Sequence, residues 1–417
     1  MDVATDYAKK ISDERIAWMF KQCFMSTLDT TAQFEENGSC FVITGDIPAM
    51  WLRDSSAQVN HYVRFAQKCT EAYALVSGLI RRQTDCILSD PYANAFNREA
   101  NGQGHQEDRT QQAPNIWERK YEIDSLCYPV RLAYRFWKEA RTTVHFTPEF
   151  HKALETIVKL WRVEQHHTKS PYYFERFNCP QSDTLPNEGK GMPVGYTGMT
   201  WSAFRPSDDA CMYGYLIPAN MFASVVLGYI AEIAREIYDD EDLAVKASEL
   251  KANIEQGIQN YAVVRNEDGC EMYAYETDGL GNYNLMDDAN VPSLLALPYL
   301  GYCDSDDERY QNTRSFVLSD KNPYFFQGDA AQGIGSPHTP QNHIWPIALA
   351  MQALTSDDSE EITKIIRTLV TTDAETGFMH ESFHKDDPTT FTRPWFSWAN
   401  TLFAELIMKY IDEGGSL

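Results

Sequence analysis

The chain contains 417 residues, of which 43% are hydrophobic and 13% aromatic, and its formal net charge at pH 7 is −24. This charge argues against nucleic acids and anionic membranes as partners, because both are bound through clustered Lys and Arg. The length exceeds that of a typical domain, which is about 150 residues. Closed rings of helices often reach this size as one unit, and no Pro- or Ser-rich linker divides the chain, so a single domain over residues 1–417 is predicted.

The nine cysteines are spread along the chain without a Cys-x-x-Cys motif. Zinc ribbons and disulfide frameworks need closer spacing, so we expect free thiols in a reducing compartment. Near the N-terminus, Lys9, Lys10, Asp13 and Glu14 interrupt any apolar segment of the kind found in signal peptides. Together these features predict a cytoplasmic protein.

Helical periodicity can be followed through about twelve segments. In chain order the predicted helices are Tyr7–Thr31, Ser55–Ala66, Thr70–Leu88, Ile123–Ala140, Pro148–His166, Ile217–Tyr238, Leu243–Val264, Val291–Leu300, Asp306–Leu318, His343–Leu354, Glu360–Leu369 and Trp395–Ile411. Short strands of hairpins at loop edges are expected at Ser39–Thr44 and Glu271–Tyr275.

A loop rich in acidic and aromatic residues precedes every second helix. The six loops lie at residues 51–55, 121–125, 205–209, 286–290, 341–345 and 393–398. The helices that follow them are more apolar than the intervening ones, which predicts an inner ring of buried helices inside an outer ring of amphipathic helices. This is an all-α (α/α)6 toroid, with a ligand site where the inner N-termini meet. Singly, such loops can also be ordinary N-caps, because Ser and Asp accept hydrogen bonds from free backbone N–H groups.

Residues 210–231 contain no charged side chain and could pass for a membrane span. Pro218 and Asn220 lie within this stretch, and no second segment like it exists, so a buried core helix is the expected structure. Two long polar loops, residues 90–120 and 168–201, are rich in aromatic side chains. Loops of this length are usually functional or disordered, and their aromatic content favours ordered walls of a binding site.

The first candidate for chemistry is the adjacent pair Asp208 and Asp209, which lies between Trp201, Phe204 and Arg205 and the buried helix. Burial and mutual repulsion can drive the pKa values of two neighbouring carboxyls apart, so that one stays protonated and acts as an acid. N-capping of the following helix is the structural alternative.

The second candidate is the segment Trp51–Ser55. Arg53 can donate hydrogen bonds to sugar hydroxyls, Asp54 can accept them, and Trp51 offers a flat apolar face. A surface ion pair between the arginine and the aspartate explains the same residues without a ligand. Asp288, His343 and Trp345 stand in the remaining loops, where each is by itself more typical of capping or packing than of ligand contact.

The third candidate is His380-Glu381-Ser382-Phe383-His384, which matches the His-Glu-x-x-His pattern of zinc peptidases. That mechanism requires a helix, so that both histidines share one face. Gly377 before the motif and Pro388 after it favour a loop. The better hypothesis uses Glu381 alone, as a general base.

Inverting glycoside hydrolysis needs two carboxyl groups about 6.5–9.5 Å apart, one to protonate the leaving oxygen and one to activate water. Asp208 and Glu381 precede the third and sixth inner helices, which face each other across a six-membered ring. A site closed at one end would release single sugars from chain termini.

Four motifs of the chain resemble those of glycoside hydrolase family 125. They are Gly45–Ser55, Trp201–Ala210, Met286–Ser293 and His380–Phe383. The resemblance covers nearly the whole chain. It implies an exo-α-1,6-mannosidase with an (α/α)6 fold that inverts configuration and needs no metal or other cofactor. It also implies an Asp general acid in the Arg205–Asp209 motif and Glu381 as general base.

We favour Asp208 over Asp209 as the acid, because related toroid glycosidases use the first acidic residue of such a loop. Asp209 and Arg205 would then bind substrate, together with Trp51, Arg53, Asp54, Asp288, His343 and Trp345. The expected partners are α-linked manno-oligosaccharides or N-glycan fragments. Two alternatives stay open: a zinc peptidase using His380, Glu381 and His384, and a mannoside-binding toroid without catalysis.

Overall fold

A computed structural model describes residues 2–417, so the predicted domain is seen from its second residue onward. The α-helices are α1 Asp2–Ala8, α2 Glu14–Ser26, α3 Leu52–Val59, α4 Thr70–Ser89, α5 Ile123–Ala140, α6 Pro148–Glu164, α7 Pro186–Gly189, α8 Ile217–Tyr238, α9 Glu241–Tyr261, α10 Leu297–Leu300, α11 Glu308–Val317, α12 Pro346–Leu354, α13 Ser359–Thr371 and α14 Ser397–Asp412.

Twelve of these helices form two rings, which confirms the predicted (α/α)6 toroid. Inner neighbours pack in the order α12, α14, α3, α5, α8 and α10, while α2, α4, α6, α9, α11 and α13 lie outside them. The outer helix α13 buries only one stripe, formed by Ile362, Ile365, Ile366 and Leu369. The inner helix α8 is buried over most of its surface. One main hydrophobic core therefore runs from Ala4 to Tyr410.

Helix α8 is the one helix in residues 2–417 that is long and apolar enough to cross a membrane, and 78% of its most apolar window is buried inside the protein. It packs against α5 and α9. The expectation of a buried core helix is therefore confirmed.

Fifteen short strands lie in the loops. They are β1 Ala32–Phe34, β2 Cys40–Val42, β3 Met50–Trp51, β4 Ala95–Phe96, β5 Ile116–Glu118, β6 Tyr215–Leu216, β7 Val263–Arg265, β8 Glu271–Tyr273, β9 Glu276–Thr277, β10 Tyr283–Asn284, β11 Phe325–Gln327, β12 Gln332–Ile334, β13 His343–Ile344, β14 Ser382–His384 and β15 Phe391–Thr392.

All the strand pairs are antiparallel, and the sheets have two or three strands each. β1–β2 and β7–β8 form the two hairpins expected near Ser39–Thr44 and Glu271–Tyr275. Three other sheets, β3–β4–β5, β6–β9–β10 and β13–β14–β15, lie beside inner helix starts. These three sheets position the candidate site.

The two rings satisfy their helix N-termini in different ways. Five outer helices have an N-cap side chain that accepts a hydrogen bond from a backbone N–H group. These N-cap residues are Asp13, Thr147, Asp240, Asp307 and Asp358. Within the described chain, no inner helix has such a side-chain cap. For the inner helices α3 and α8 the first N–H donates to a neighbouring loop carbonyl instead, at 3.0 and 2.9 Å. Capping of α8 by Ser207 or Asp208, the structural alternative for the third loop, is therefore wrong. In the fourth loop Asp287 does accept backbone N–H groups, ahead of α10.

Three predicted helices differ from the observed ones for local reasons. The first is broken because Asp13 caps a new helix, α2. The eighth shrinks to Leu297–Leu300 because Asp287 accepts the N–H groups of Leu294 and Leu295, at 2.8 and 2.9 Å. The tenth begins at Pro346, since His343 and Ile344 pair with β14 as a strand.

Candidate active site

Arg53, in the first turn of α3, lies at the centre of a buried charged cluster and is 3% exposed. Its guanidinium contacts four carboxylates. They are Glu122 at 2.6 Å, Asp124 at 3.2 Å, Asp208 at 3.3 Å and Asp54 at 3.3 Å. The contact with Asp54 lacks hydrogen-bond geometry, so the Arg53 Nε and the Asp54 Oδ2 keep their bonding capacity. The alternative of a surface ion pair between Arg53 and Asp54 is wrong, because both side chains are buried.

Asp208 lies in a tight turn with a left-handed backbone, φ +67°. Its N–H donates to the Arg205 carbonyl at 2.9 Å, and the Arg205 N–H donates to the Asp209 carbonyl at 2.7 Å. Lys120 donates to the Asp208 carbonyl at 2.7 Å. A non-glycine residue held at positive φ is uncommon and marks functional sites. The turn directs the Asp208 side chain towards Arg53 and leaves it 24% exposed.

Asp209, which adjoins Asp208, has a different partner. Its Oδ1 lies 3.2 Å from Nδ1 of His338, and the aspartate is buried while the histidine side chain is 39% exposed. Burial lowers the pKa of His338, but the hydrogen bond to Asp209 and the charges of Asp209, Asp208 and Glu381 together raise it to about 9. Asp209 is thus the counter-ion of an imidazolium at neutral pH.

Glu381, just before β14, is 5% exposed. Its Oε1 lies 3.4 Å from Nη1 of Arg393, and the Arg393 Nε in turn donates to Asp46 Oδ1 at 3.0 Å. His338 links the two loops, because it contacts Asp209 next to Asp208 and lies beside Trp345, which follows β13, the partner of β14. Glu381 is held by Arg393 from the α14 side and Asp208 by Arg53 from the α3 side.

Other predicted site residues lie around this cluster. Arg205 is buried and donates to Glu276 at 2.6 Å. Asp288 is fully buried; its burial raises its pKa, against the charge of Arg205. Trp51 is 5% exposed and packs in a small apolar cluster with Ala49 and Ala95.

Trp345 and His343 lie further from the acids. The Trp345 indole N–H donates to Thr339 at 2.8 Å, and its ring lies edge-on to His338 with centroids 6.5 Å apart. His343 contacts the carbonyl of Gln341 and the ring of His384. The structure therefore brings Arg53, Asp54, Asp208 and Asp209 into one group, with Trp345 and His343 in supporting layers.

Buried polar atoms that have no hydrogen-bond partner among residues 2–417 concentrate in these loops. They include Trp51 Nε1, Arg53 Nε, Asp54 Oδ2, Asp124 Oδ1, Ser207 Oγ, Asp209 Oδ2 and Asp288 Oδ2. Most buried polar groups in proteins are paired. A group of unpaired ones at the inner helix ends is typical of a functional site rather than of a core.

Four residues of the candidate site were not predicted from the sequence: Glu122, Lys120, His338 and Arg393. Glu122 had a local signal, because it occupies the N-cap position of α5, where Ser, Thr, Asp and Asn are preferred. Arg393 stands in the sixth loop but offers no spacing rule. His338 and Lys120 carry no signal that the sequence alone could have shown.

The His-Glu-x-x-His segment is extended and not helical. Ser382, Phe383 and His384 form β14, and the His380 ring stacks on Phe391 with centroids 3.8 Å apart. The two histidines therefore do not share a helix face, which the zinc-peptidase alternative requires.

Residues 13–408 match the protein family described as metal-independent α-mannosidases, glycoside hydrolase family 125. The chain belongs to this family. It is also similar to a solved metal-independent α-mannosidase of Streptococcus pneumoniae, determined in a non-productive substrate complex with α-1,6-mannobiose. The two chains are 52% identical with a TM-score of 0.96, over 99% of this chain and 97% of the other.

A second relative of this family 125 protein is the meiotically up-regulated gene 157 protein of Schizosaccharomyces pombe, which is 38% identical over 98% of this chain and 84% of its own length. The glucoamylase of Saccharomycopsis fibuligera shares the fold, with a TM-score of 0.62 at 12% identity over 96% of both chains. The family 125 member described here is thus a glycoside hydrolase on an (α/α)6 toroid. Its charged cluster has the residue types that acid–base cleavage of a glycosidic bond requires.

Proposed function

We propose that the protein is an exo-acting α-1,6-mannosidase that inverts the anomeric configuration. Asp208 is the general acid and Glu381 the general base. The observation that carries the proposal is that two buried loops place the carboxyls on separate supports: Arg53 holds Asp208, and Arg393 holds Glu381. Two carboxyls on separate supports can act from opposite sides of a sugar ring.

Asp208 is the better acid of the adjacent pair. Asp209 is committed to His338 as the counter-ion of an imidazolium, so it is suited to hold a charge or a hydroxyl. Asp208 pairs with Arg53 rather than with a histidine, and its side chain is one-quarter exposed, which leaves its carboxyl accessible to a bound substrate. Glu381 is oriented by Arg393 and is suited to accept a proton from water.

Exo action is supported by the burial of Arg53, Glu122 and Asp124, which occupy the starts of α3 and α5 and which we propose form the floor of the site. A site with a floor admits the end of a chain but not its middle. The mannobiose bound by the S. pneumoniae relative supports an α-1,6-linked substrate. The S. pneumoniae relative was studied for insight into the processing of N-linked glycans, and we propose N-glycan fragments as substrates of the protein described here.

The test follows the anomer of released mannose by NMR during hydrolysis of α-1,6-mannobiose. Initial β-mannose is expected, and initial α-mannose would exclude the inverting assignment. Asp208→Asn and Glu381→Gln should each lower kcat/KM by about 10²–10⁴-fold, the usual contribution of an acid–base group. A reducing-end-labelled mannotriose should lose one mannose at a time, whereas release of a disaccharide would contradict exo action.

A further inference from the structure

The candidate acid has a close carboxyl neighbour, Glu122. One nitrogen of Arg53 donates to Glu122 at 2.6 Å and the other to Asp208 at 3.3 Å. The amide of Asn94 also donates to both carboxyls, at 3.4 and 3.3 Å. The two carboxyls therefore lie against the same two donors. Because Arg53 and Asn94 hold both groups from two sides, neither can turn away.

The charges around Arg53 do not balance. One guanidinium faces four carboxyls, Asp54, Glu122, Asp124 and Asp208, which would leave a net charge of −3 if all were ionised. Uncompensated buried charge is neutralised by proton uptake rather than tolerated.

The other nearby cations are already engaged. Lys120 pairs with Asp183 and lies 3.6 Å from Glu118, and His338 pairs with Asp209. They leave Arg53 as the cation in direct contact with the pair. At least one carboxyl of the cluster must therefore carry a proton, and two acids that share the same two donors are the best place for it.

From this geometry we infer that Glu122 is a positioning residue which holds one shared proton with Asp208 and supplies it to Asp208 when the glycosidic bond breaks. The inference rests on the proposed role of Asp208 as the general acid. In this role Glu122 keeps a proton available for transfer to the general acid.

The surroundings of Glu122 agree with it. Burial raises the pKa of Glu122 well above its usual value, and the charges of Asp208 and Asp124 raise it further against the opposing charge of Arg53. For Asp208, burial favours the protonated form, but Arg53 and the hydrogen bond from Glu122 lower its pKa. The shared proton thus rests on Glu122. The charged or titratable groups that face the pair are Arg53, Asp54, Asp124, Lys120, Cys211 and His338. The buried Glu118 lies beyond Asn94, whose amide also donates to it, at 3.0 Å.

The step balances without any further reagent. A proton passes from Glu122 to Asp208, and from Asp208 to the leaving oxygen as the C1–O bond breaks with its electron pair going to that oxygen. Water forms the new C1–O bond and gives its proton to Glu381. The pair is left with both carboxyls ionised, and it regains one proton through solvent as Glu381 loses one. The sum is one bond hydrolysed by one water.

The experiment compares α-1,6-mannobiose with 2,4-dinitrophenyl α-mannoside, whose leaving group needs no proton. In Glu122→Gln, kcat/KM should fall about 10²–10⁴-fold on mannobiose and much less on the aryl mannoside. The alkaline limb of its pH profile should move to lower pH, because Asp208 then has no partner to share a proton with. Glu164→Gln is the matched control, since Glu164 is fully buried and pairs with His167. The ratio of kcat/KM on mannobiose to kcat/KM on the aryl mannoside should be the same in Glu164→Gln as in the wild type.

Equal loss on both substrates with an unchanged alkaline limb would overturn the inference. If Glu122→Gln fails to fold, infrared difference spectra of wild type against Asp208→Asn decide the question. A protonated-carboxyl band should be present in the wild type and should shift in frequency in Asp208→Asn, because the proton on Glu122 then has no second carboxylate to share it; an unchanged band overturns the inference. Retention of mannobiose activity by Asp208→Asn would instead show that the proposed acid is wrong.

Discussion

Replacement of Arg53 by Met should destabilise the protein in a strongly pH-dependent way. The change removes one positive charge from contact with four carboxyls, three of them buried. The cluster can restore its net charge by binding one more proton. That proton goes to a carboxyl with an ordinary pKa of 3.8–4.5, and each pH unit above that value costs about 1.4 kcal/mol.

A pH of about 7.5 lies about three units above the pKa of a free carboxyl. Protonation of one carboxyl at this pH therefore lowers the free energy of unfolding by about 4 kcal/mol. At about pH 5 the same uptake costs about 1 kcal/mol. The sign follows from linkage: the folded variant binds more protons than the unfolded chain, so stability falls as pH rises. Already in the wild type, burial raises the pKa of Asp124 to about 6 against the charge of Arg53.

Urea unfolding of wild type and Arg53→Met at the two pH values measures this difference. Arg64→Met is the matched control, because Arg64 pairs with Asp412 at an exposed site, where an ion pair contributes about 1 kcal/mol or less at either pH. A loss in Arg53→Met that is the same at both pH values, or that is no larger than in the control, would refute the charge-balance reasoning.

Three further predictions concern the site. In an NMR titration His338 should show a pKa of about 9, which falls towards the ordinary 6.5 in Asp209→Asn; a wild-type value near 6.5 would contradict the ion pair. Asp46→Asn should lower kcat/KM by up to about 10²-fold by releasing Arg393 and misplacing Glu381, with little change in Tm because Asp46 is 39% exposed. Dialysis against EDTA, like His384→Ala, should leave hydrolysis of the mannoside unchanged; loss of activity that zinc restores would revive the metal hypothesis.

The ring architecture could be predicted because its signals are local. The bounds of α5 and α8 match the predicted ones, since apolar periodicity and the flanking loops are properties of neighbouring residues. The errors in the first and eighth helices also have local causes, the caps made by Asp13 and Asp287. These side chains compete with the helix for the same backbone N–H groups.

The contacts that give the site its chemistry join distant parts of the chain, and no periodicity reports them. Glu122 lies 69 residues from Arg53, His338 lies 129 residues from Asp209, and Asp46 lies 347 residues from Arg393. From the sequence, Arg53 resembled a residue that binds sugar. Its burial among carboxylates became visible only when the fold brought three loops together.

The same residue types do different work in the two rings, and the cause is what satisfies the backbone at each helix start. In the outer ring, Asp13, Asp240, Asp307 and Asp358 accept helix N–H groups, so their carboxylates are used as caps. In the inner ring, short strands and loop carbonyls accept the first N–H groups instead, as Asn94 does for α3. The acids of the first three inner loops, unlike Asp287 of the fourth, are therefore not used as helix caps. They are free to gather around Arg53, where their excess negative charge retains the proton that an acid catalyst needs.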